Sequence, residues 1–306
     1  MQFLTSTDMQ LRSYRNVKIN LPLFIILTVL IAFSCKKEEN HRPPLIEFID
    51  DSDFVSRDTS LPAGAKILVS LKATDPDDHI TFFEVVRDNG NRQILLDSGM
   101  NCPGFVYKLS ILKSNDLFEK WIFKVMDRER NIDSTFLLLE RSAVNEYGNI
   151  KTLEDITLSA QDLKEPGSFF SISTGEAYCL DTAYTRQEIT DIIYYFSEFE
   201  STLSSPNESD APAVFTGPSG LANWTVKSET RYDTTLLAPS DFDQAQNDSL
   251  LIACYEPTTG KRKLKYAKLG MVISFISPAY KIGLLYVKEI LPGPEGYIKF
   301  SIKVQE

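Results

Sequence analysis

The sequence predicts a mainly β chain: a sandwich of short strands followed by a second β-rich domain with few short helices. Two patterns carry this expectation. Between residues 45 and 140, seven short runs of β-branched, aliphatic and aromatic residues are separated by clusters of Asp, Asn, Pro and Gly. From Met271 onward, apolar and polar residues alternate with a period of two, as in strands with one buried face. Composition agrees, since 43% hydrophobic and 24% charged residues place the chain among ordinary globular proteins.

A segment of another kind precedes the first strand. Arg12, Arg15 and Lys18 lead into an apolar run over residues 21–33, broken by Pro22 and Thr28. As a helix rising about 1.5 Å per residue, that run covers roughly 20 Å, short of a hydrocarbon core of about 30 Å. Residues 1–34 therefore match a secretory signal better than a membrane span. The run ends Ala32-Phe33-Ser34-Cys35, which resembles the lipobox of bacterial lipoproteins. It departs from the commonest pattern in having Ala32 for Leu and Phe33 for a small residue. The resemblance implies cleavage before Cys35 and a lipid on its thiol, so that the membrane is a partner through the N-terminus. Residues 35–44 then read as a polar tether stiffened by Pro43 and Pro44. Within it, Lys37-Glu38-Glu39 is similar to the surface-export signal of Bacteroidetes lipoproteins, which implies display on the outer face of the outer membrane.

The strand runs of the first domain, residues 45–141, cover residues 45–49, 66–73, 80–87, 93–97, 105–109, 121–126 and 134–140. Val69, Leu71 and Ala73 alternate with Ser70 and Lys72, and Trp121, Phe123 and Val125 share a face. Trp121 is accordingly expected in the core. Turn chemistry fills residues 75–78, 88–91 and 101–104. Seven short strands over about 95 residues suit a two-sheet sandwich, and the segment resembles bacterial immunoglobulin-like modules. The cysteine pair that antibody domains bridge over a buried Trp is missing.

The second domain, residues 149–306, opens with strand-like stretches at residues 156–161 and 167–175, then an apolar run at residues 189–196. Ser, Pro, Asn and Asp at residues 200–212 read as a loop, and Ser240 as the cap of a short helix through about Asn247. Three closing strands are expected at residues 271–276, 283–290 and 297–304. In the last, Ile298, Phe300, Ile302 and Val304 alternate with Lys299, Ser301 and Lys303. These pieces resemble an uncharacterised C-terminal domain of Bacteroidetes lipoproteins, a likeness that brings no chemistry with it.

Function classes narrow by exclusion. A formal charge of −10 with no basic stripe disfavours nucleic acid. His41 and His79 lie in the tether and in a turn, away from any nucleophile motif, and no zinc spacing or phosphate-cradling glycine loop occurs. Asp75, Asp77 and Asp78, with Asp127, offer oxygen ligands of the kind Ca²⁺ takes, against the simpler expectation of Asp side chains bonding their own turns. Phe169, Phe170, Tyr178, Tyr184 and Trp224 stand beside loop-like stretches as candidate stacking rings for a glycan, against the ordinary fate of aromatics in a core. Besides Cys35 there are Cys102, Cys179 and Cys254; Cys179 and Cys254 share the second domain and are a possible disulfide pair. Asp181-Thr182-Ala183 and Asp233-Thr234-Thr235 look like the O-glycosylation motif of exported Bacteroidetes proteins, with Thr182 and Thr234 the acceptors in expected loops.

The expectation is a non-catalytic, lipid-anchored envelope protein that binds a glycan or a protein partner, with calcium the one cofactor to weigh. A carboxylate-based glycan hydrolase in the second domain and a structural component of the envelope are the alternatives.

Overall fold

Strand accounts for 47% and helix for 10% of the described residues, so the expectation of a mainly β chain holds. The structure, a computed structural model, describes residues 42–143, 147–256 and 259–306. The leader, Cys35 and most of the tether lie outside the described residues. Residues 43–306 form one compact unit. Among the described residues, no helix is long and apolar enough to cross a membrane.

The first eight strands are β1 (Leu45–Phe48), β2 (Thr59–Leu61), β3 (Lys66–Thr74), β4 (Ile80–Asp88), β5 (Arg92–Cys102), β6 (Gly104–Leu112), β7 (Phe118–Asp127) and β8 (Ile132–Arg141). They build two facing sheets, ordered β1-β3-β6 and β2-β8-β7-β4-β5. The arrangement is compatible with an immunoglobulin-like sandwich. All pairs within the two sheets are antiparallel except β2 with β8. Period-two alternation places Val69, Leu71 and Ala73 in one core with Trp121, Phe123 and Val125. Trp121 is buried there, as its alternation predicts. Strand β2 leaves no signature in the sequence: three residues are too few to show a period. It exists through pairing with β8, some eighty positions away.

The second set comprises β9 (Ile150–Ser159), β10 (Phe169–Ser171), β11 (Glu176–Tyr178), β12 (Ile192–Ser197), β13 (Glu200–Ser204), β14 (Arg231–Thr234), β15 (Lys263–Leu264), β16 (Val272–Ile276), β17 (Ile282–Leu291) and β18 (Tyr297–Gln305). Sheets β11-β10-β12-β13-β15 and β14-β16-β17-β18-β9 enclose Tyr194, Phe275, Leu285 and Phe300. Short helices α1 (Leu180–Tyr184), α2 (Ala211–Val214), α3 (Pro239–Gln244) and α4 (Ser249–Ala253) lie between strands.

Two expectations need correction. Residues 200–204 are not loop but the fully buried strand β13. Its hydroxyl-rich sequence reads as solvent-facing, yet its polar groups find partners: Tyr194 donates to Ser201 Oγ at 3.0 Å inside the core, and Lys265 reaches in from the surface to Glu200 at 2.6 Å. The turn into it is Glu198-Phe199, both left-handed, as a two-residue hairpin requires. The helix expected to be capped by Ser240 is capped instead at Ala238, two residues earlier, and runs from Pro239 to Gln244. A proline, with fixed φ and no N–H, suits the first helical position, and Asp241 accepts the Ala238 amide at 2.8 Å. Ser240 thus lies inside the first turn.

The two sandwiches meet along an apolar seam. Ala63 and Leu112 of the first pack with Phe242, Leu251, Ile252 and Leu284 of the second. Gly64 sits at φ +82°, and a Cβ there would lie 2.8 Å from Ile252 Cδ1, so both backbone and space demand glycine.

Candidate functional site

Beside that seam opens a cleft of about 690 Å³, walled by β5 and β6 on one side and by β14 and the β16–β17 connection on the other. Its size falls in the range of small-ligand sites. Ile94, Leu96 and Leu109 form its apolar wall, and four tyrosines line it: Tyr232, whose hydroxyl donates to the Ser204 carbonyl at 3.0 Å, and the three phenols of Tyr107, Tyr255 and Tyr280. Tyr107 is fixed by an edge-on contact with Phe83, ring centroids 4.9 Å apart. Burial, reinforced by Tyr280, raises the Tyr107 pKa, and burial with Glu119 pushes Tyr255 well above the ordinary phenol range. Both therefore stay neutral at physiological pH. None of the three hydroxyls has a hydrogen-bond partner among the described residues, so each keeps a donor and acceptor capacity.

Charge enters the lining through Glu229, Arg231, Asp233 and Glu256. Arg231 is committed: it pairs with Glu229 at 2.5 Å and donates to the Gly260 carbonyl at 3.0 Å. Asp233 accepts from its neighbour Thr234 and from Thr259.

Beside the cleft lies a buried ionic cluster that Trp121 and Glu256 join to its lining. Arg87, Lys113 and Glu119 are completely buried. Glu119 accepts from Arg87 Nε at 3.0 Å, Lys113 Nζ at 2.8 Å, the Ser114 amide at 2.8 Å and Trp121 Nε1 at 3.2 Å. Arg87 also bonds Asp116, Ser114 and Gln93, and reaches across to Glu256 of the second sandwich at 2.9 Å. Burial alone would raise the Glu119 pKa, but Lys113 and Arg87 outweigh it and hold the carboxyl below the usual range. Through Glu256 the cluster ties the two sandwiches together, one residue from the Tyr255 phenol.

The residues singled out from sequence lie elsewhere. Asp75, Asp77, Asp78 and Asp127 form no calcium cage: among the described residues no group of three or more His, Cys, Asp or Glu is placed to hold a metal. Oxygens of three of them are engaged locally instead. Asp75 Oδ1 takes the amides of Asp77 and Asp78, Asp127 takes both the amide and side chain of Asn131, and Asp78 pairs with Arg128 at 3.2 Å. Asp75 Oδ2 is buried without a partner among the described residues.

Phe169, Phe170, Tyr178 and Trp224 are core residues, not stacking rings. Phe169 packs on Phe215 at 4.7 Å and on Trp224 at 5.7 Å, under a cover that includes α2. Tyr184 is exposed at the end of α1, outside the cleft lining. Cys179 and Cys254 are both unbridged, as is Cys102. Cys179 bonds Thr182, whereas Cys254 packs into the seam. Thr182 lies within α1, not in a loop, and Thr234 is exposed at the last position of β14.

Sequence reasoning missed Tyr255, Tyr280, Glu229 and Asp233. A usable signal was present in Glu229-Thr230-Arg231-Tyr232-Asp233 and Tyr255-Glu256, where charges flank tyrosines in short segments. No protein-family model matches the chain, and no curated protein is similar enough to count as a relative.

Proposed function

We propose that this protein is a lipid-anchored envelope protein that binds a glycan in the cleft between its two sandwiches, without catalysing a reaction. The observation carrying this is the set of three phenols, their hydroxyls unpartnered among the described residues, beside carboxylates and one guanidinium. Sugar hydroxyls need donors and acceptors on several sides, and sugar C–H faces stack on aromatic rings. Asp191, whose burial lifts its carboxyl pKa to about 6, is placed against the Ile172 amide and does not line the cleft, so it gives no support to general acid chemistry there. The anchor is supported by the apolar run and Cys35 described above.

The test is a glycan array probed with the full chain in detergent, alongside Tyr255→Phe and Tyr280→Ala variants. Binding that both variants weaken supports the proposal, and failure to retain any glycan overturns it. Cys35→Ala should move the protein from the membrane fraction to the soluble fraction; unchanged retention would refute the anchor.

A further inference from the structure

We infer that the sugars this cleft takes are uncharged and carry acetamido groups, held by the open main chain of a sheet edge instead of by ionised side chains. This rests on the glycan-binding function proposed above and names its ligand class.

The charges of the cleft are engaged with one another. Glu229 pairs with Arg231, Glu256 pairs with Arg87 at 2.9 Å, and Asp233 has both oxygens engaged, by Thr234 and Thr259. At the rim Lys66 Nζ lies 4.2 Å from the centre of the Tyr280 ring and occupies that face. Lys66 is itself exposed, where an ion pair with a sugar acid would contribute little. The groups left open to a ligand are neutral: the three phenol hydroxyls and a short piece of backbone.

The backbone enters because β6 is the edge of its sheet. Residues 109–112 line the cleft in succession, so the strand meets it edge-on and not by one face. In an antiparallel pair, the amide groups of successive residues point alternately toward the partner strand and away from it. On β3 the carbonyls of Leu68 and Ser70 point away from β6, accepting the amides of Val55 and Ile49, each at 2.8 Å. Leu68 stands opposite Ser110, so the N–H and C=O of Ser110 likewise point away from the ladder, at the open edge. Neither has a partner among the described residues. Of the neighbouring outward residues, Leu112 is buried in the seam and Lys108 lies outside the cleft lining. The cleft thus offers a ligand one backbone donor and acceptor, not the run of them that an added strand needs.

An acetamido group fits this set. A secondary amide is trans, so its N–H and C=O point opposite ways and reach toward opposite walls. Its carbonyl accepts the Ser110 N–H, and its N–H donates to a phenol oxygen of Tyr255 or Tyr280, from the second sandwich. Its methyl meets the apolar wall of Ile94, Leu96 and Leu109. A hydroxyl in that place lacks the methyl and the reach. An ammonium brings three donors and no acceptor for the Ser110 N–H.

The experiment measures affinity of the full chain in detergent for hexasaccharides of N-acetylglucosamine, glucose, glucosamine and galacturonic acid. A glycine–serine hexapeptide with blocked ends is a further probe, and mildly acidic buffer keeps sugar amines protonated and sugar acids ionised. The N-acetylated hexamer should bind roughly tenfold more tightly than the other three, the factor expected of one or two neutral hydrogen bonds. Added salt should leave that preference in place, because no charge carries it. Ser110→Pro removes the outward N–H while sparing the ladder to β3, a change that edge strands accept, and should abolish the preference. Ser110→Ala keeps the N–H and should keep the preference.

Equal or tighter binding of the glucose hexamer overturns the acetamido inference and leaves glycan binding standing, as does preference for the glucosamine or galacturonic acid hexamer. A preference that survives Ser110→Pro, or that Ser110→Ala removes, refutes the backbone contact. Equal affinity for the hexapeptide refutes the assignment to a sugar. If no hexasaccharide binds, the inference fails, and the array decides separately whether the cleft takes any glycan. A thermal midpoint for Ser110→Pro matching that of the parent establishes that lost preference is not lost fold. Should that variant not fold, an O-acetylated glucose hexamer, which lacks the amide N–H, takes its place: it should bind more weakly than the N-acetylated one, and equal affinity refutes the amide match.

Discussion

Replacing Asp191 by Asn removes a largely buried charge while keeping the acceptor that holds the Ile172 amide at 2.8 Å. Desolvation raises this carboxyl from 3.8 to about 6. The folded state therefore binds the proton more tightly than the unfolded chain. Stability from this group is complete below pH 3.8, the unfolded value, and is lost as pH rises through about 6. A displacement of that size corresponds to about 3 kcal/mol by neutral pH. The Asn variant escapes that loss, so it should equal the parent near the acid end and exceed it by up to about 3 kcal/mol at neutral pH. Urea unfolding of both proteins across this pH range measures the difference directly, and taking the difference cancels the titration of the other carboxyls. A difference that stays constant with pH, or a variant no more stable at neutral pH, would refute the desolvation account.

Three further perturbations probe the cluster, the seam and the thiols. Arg87→Met leaves Glu119 and Asp116 short of their buried counter-charge and should cost about 3–5 kcal/mol in urea unfolding, while Asp50→Asn, at an exposed pair with Arg57, should cost almost nothing. Gly64→Ala forces a left-handed alanine against Ile252 and should cost about 1–3 kcal/mol, part of it recovered by Ile252→Val in the same chain. Cys179, whose thiol pKa is lowered by the Thr182 hydroxyl and nearby backbone amides, should alkylate faster than Cys254, whose burial raises it; Thr182→Val should narrow the gap, as mass spectrometry of iodoacetamide-treated protein would read.

Strands with strict alternation are legible because one residue in two must face the core. β3 and β18 announce themselves through Val69, Leu71, Ala73 and through Ile298, Phe300, Ile302, Val304, although the polar partners Ser70, Ser301 and Lys303, which the alternation assigns to a wet face, are buried as well. The same parity, followed from Trp121 back to Glu119, points a carboxylate inward and is a usable sign of the ionic cluster. β13 is hidden because Ser, Thr and Glu read as solvent-seeking, when protein partners let them be buried. The burial of Phe169 and Trp224 depends on Phe215 arriving from a segment more than forty positions after Phe169, which no local pattern encodes. The cleft is illegible for the same reason. Tyr107 belongs to a strand of the first sandwich, whereas Tyr255 and Tyr280 come from connections in the second, and only the seam brings them to one wall.

How the molecule comes apart depends on that seam. Leu112 and Ala63 are dry only while Ile252 and Leu284 cover them, and Arg87 draws on a carboxylate from the far side. Severing the chain after Arg141 would wet the apolar pair and strip Arg87 of that ligand at one stroke. Heat and denaturant should therefore melt residues 43–306 in a single calorimetric step, and neither sandwich is a module that can be exchanged on its own.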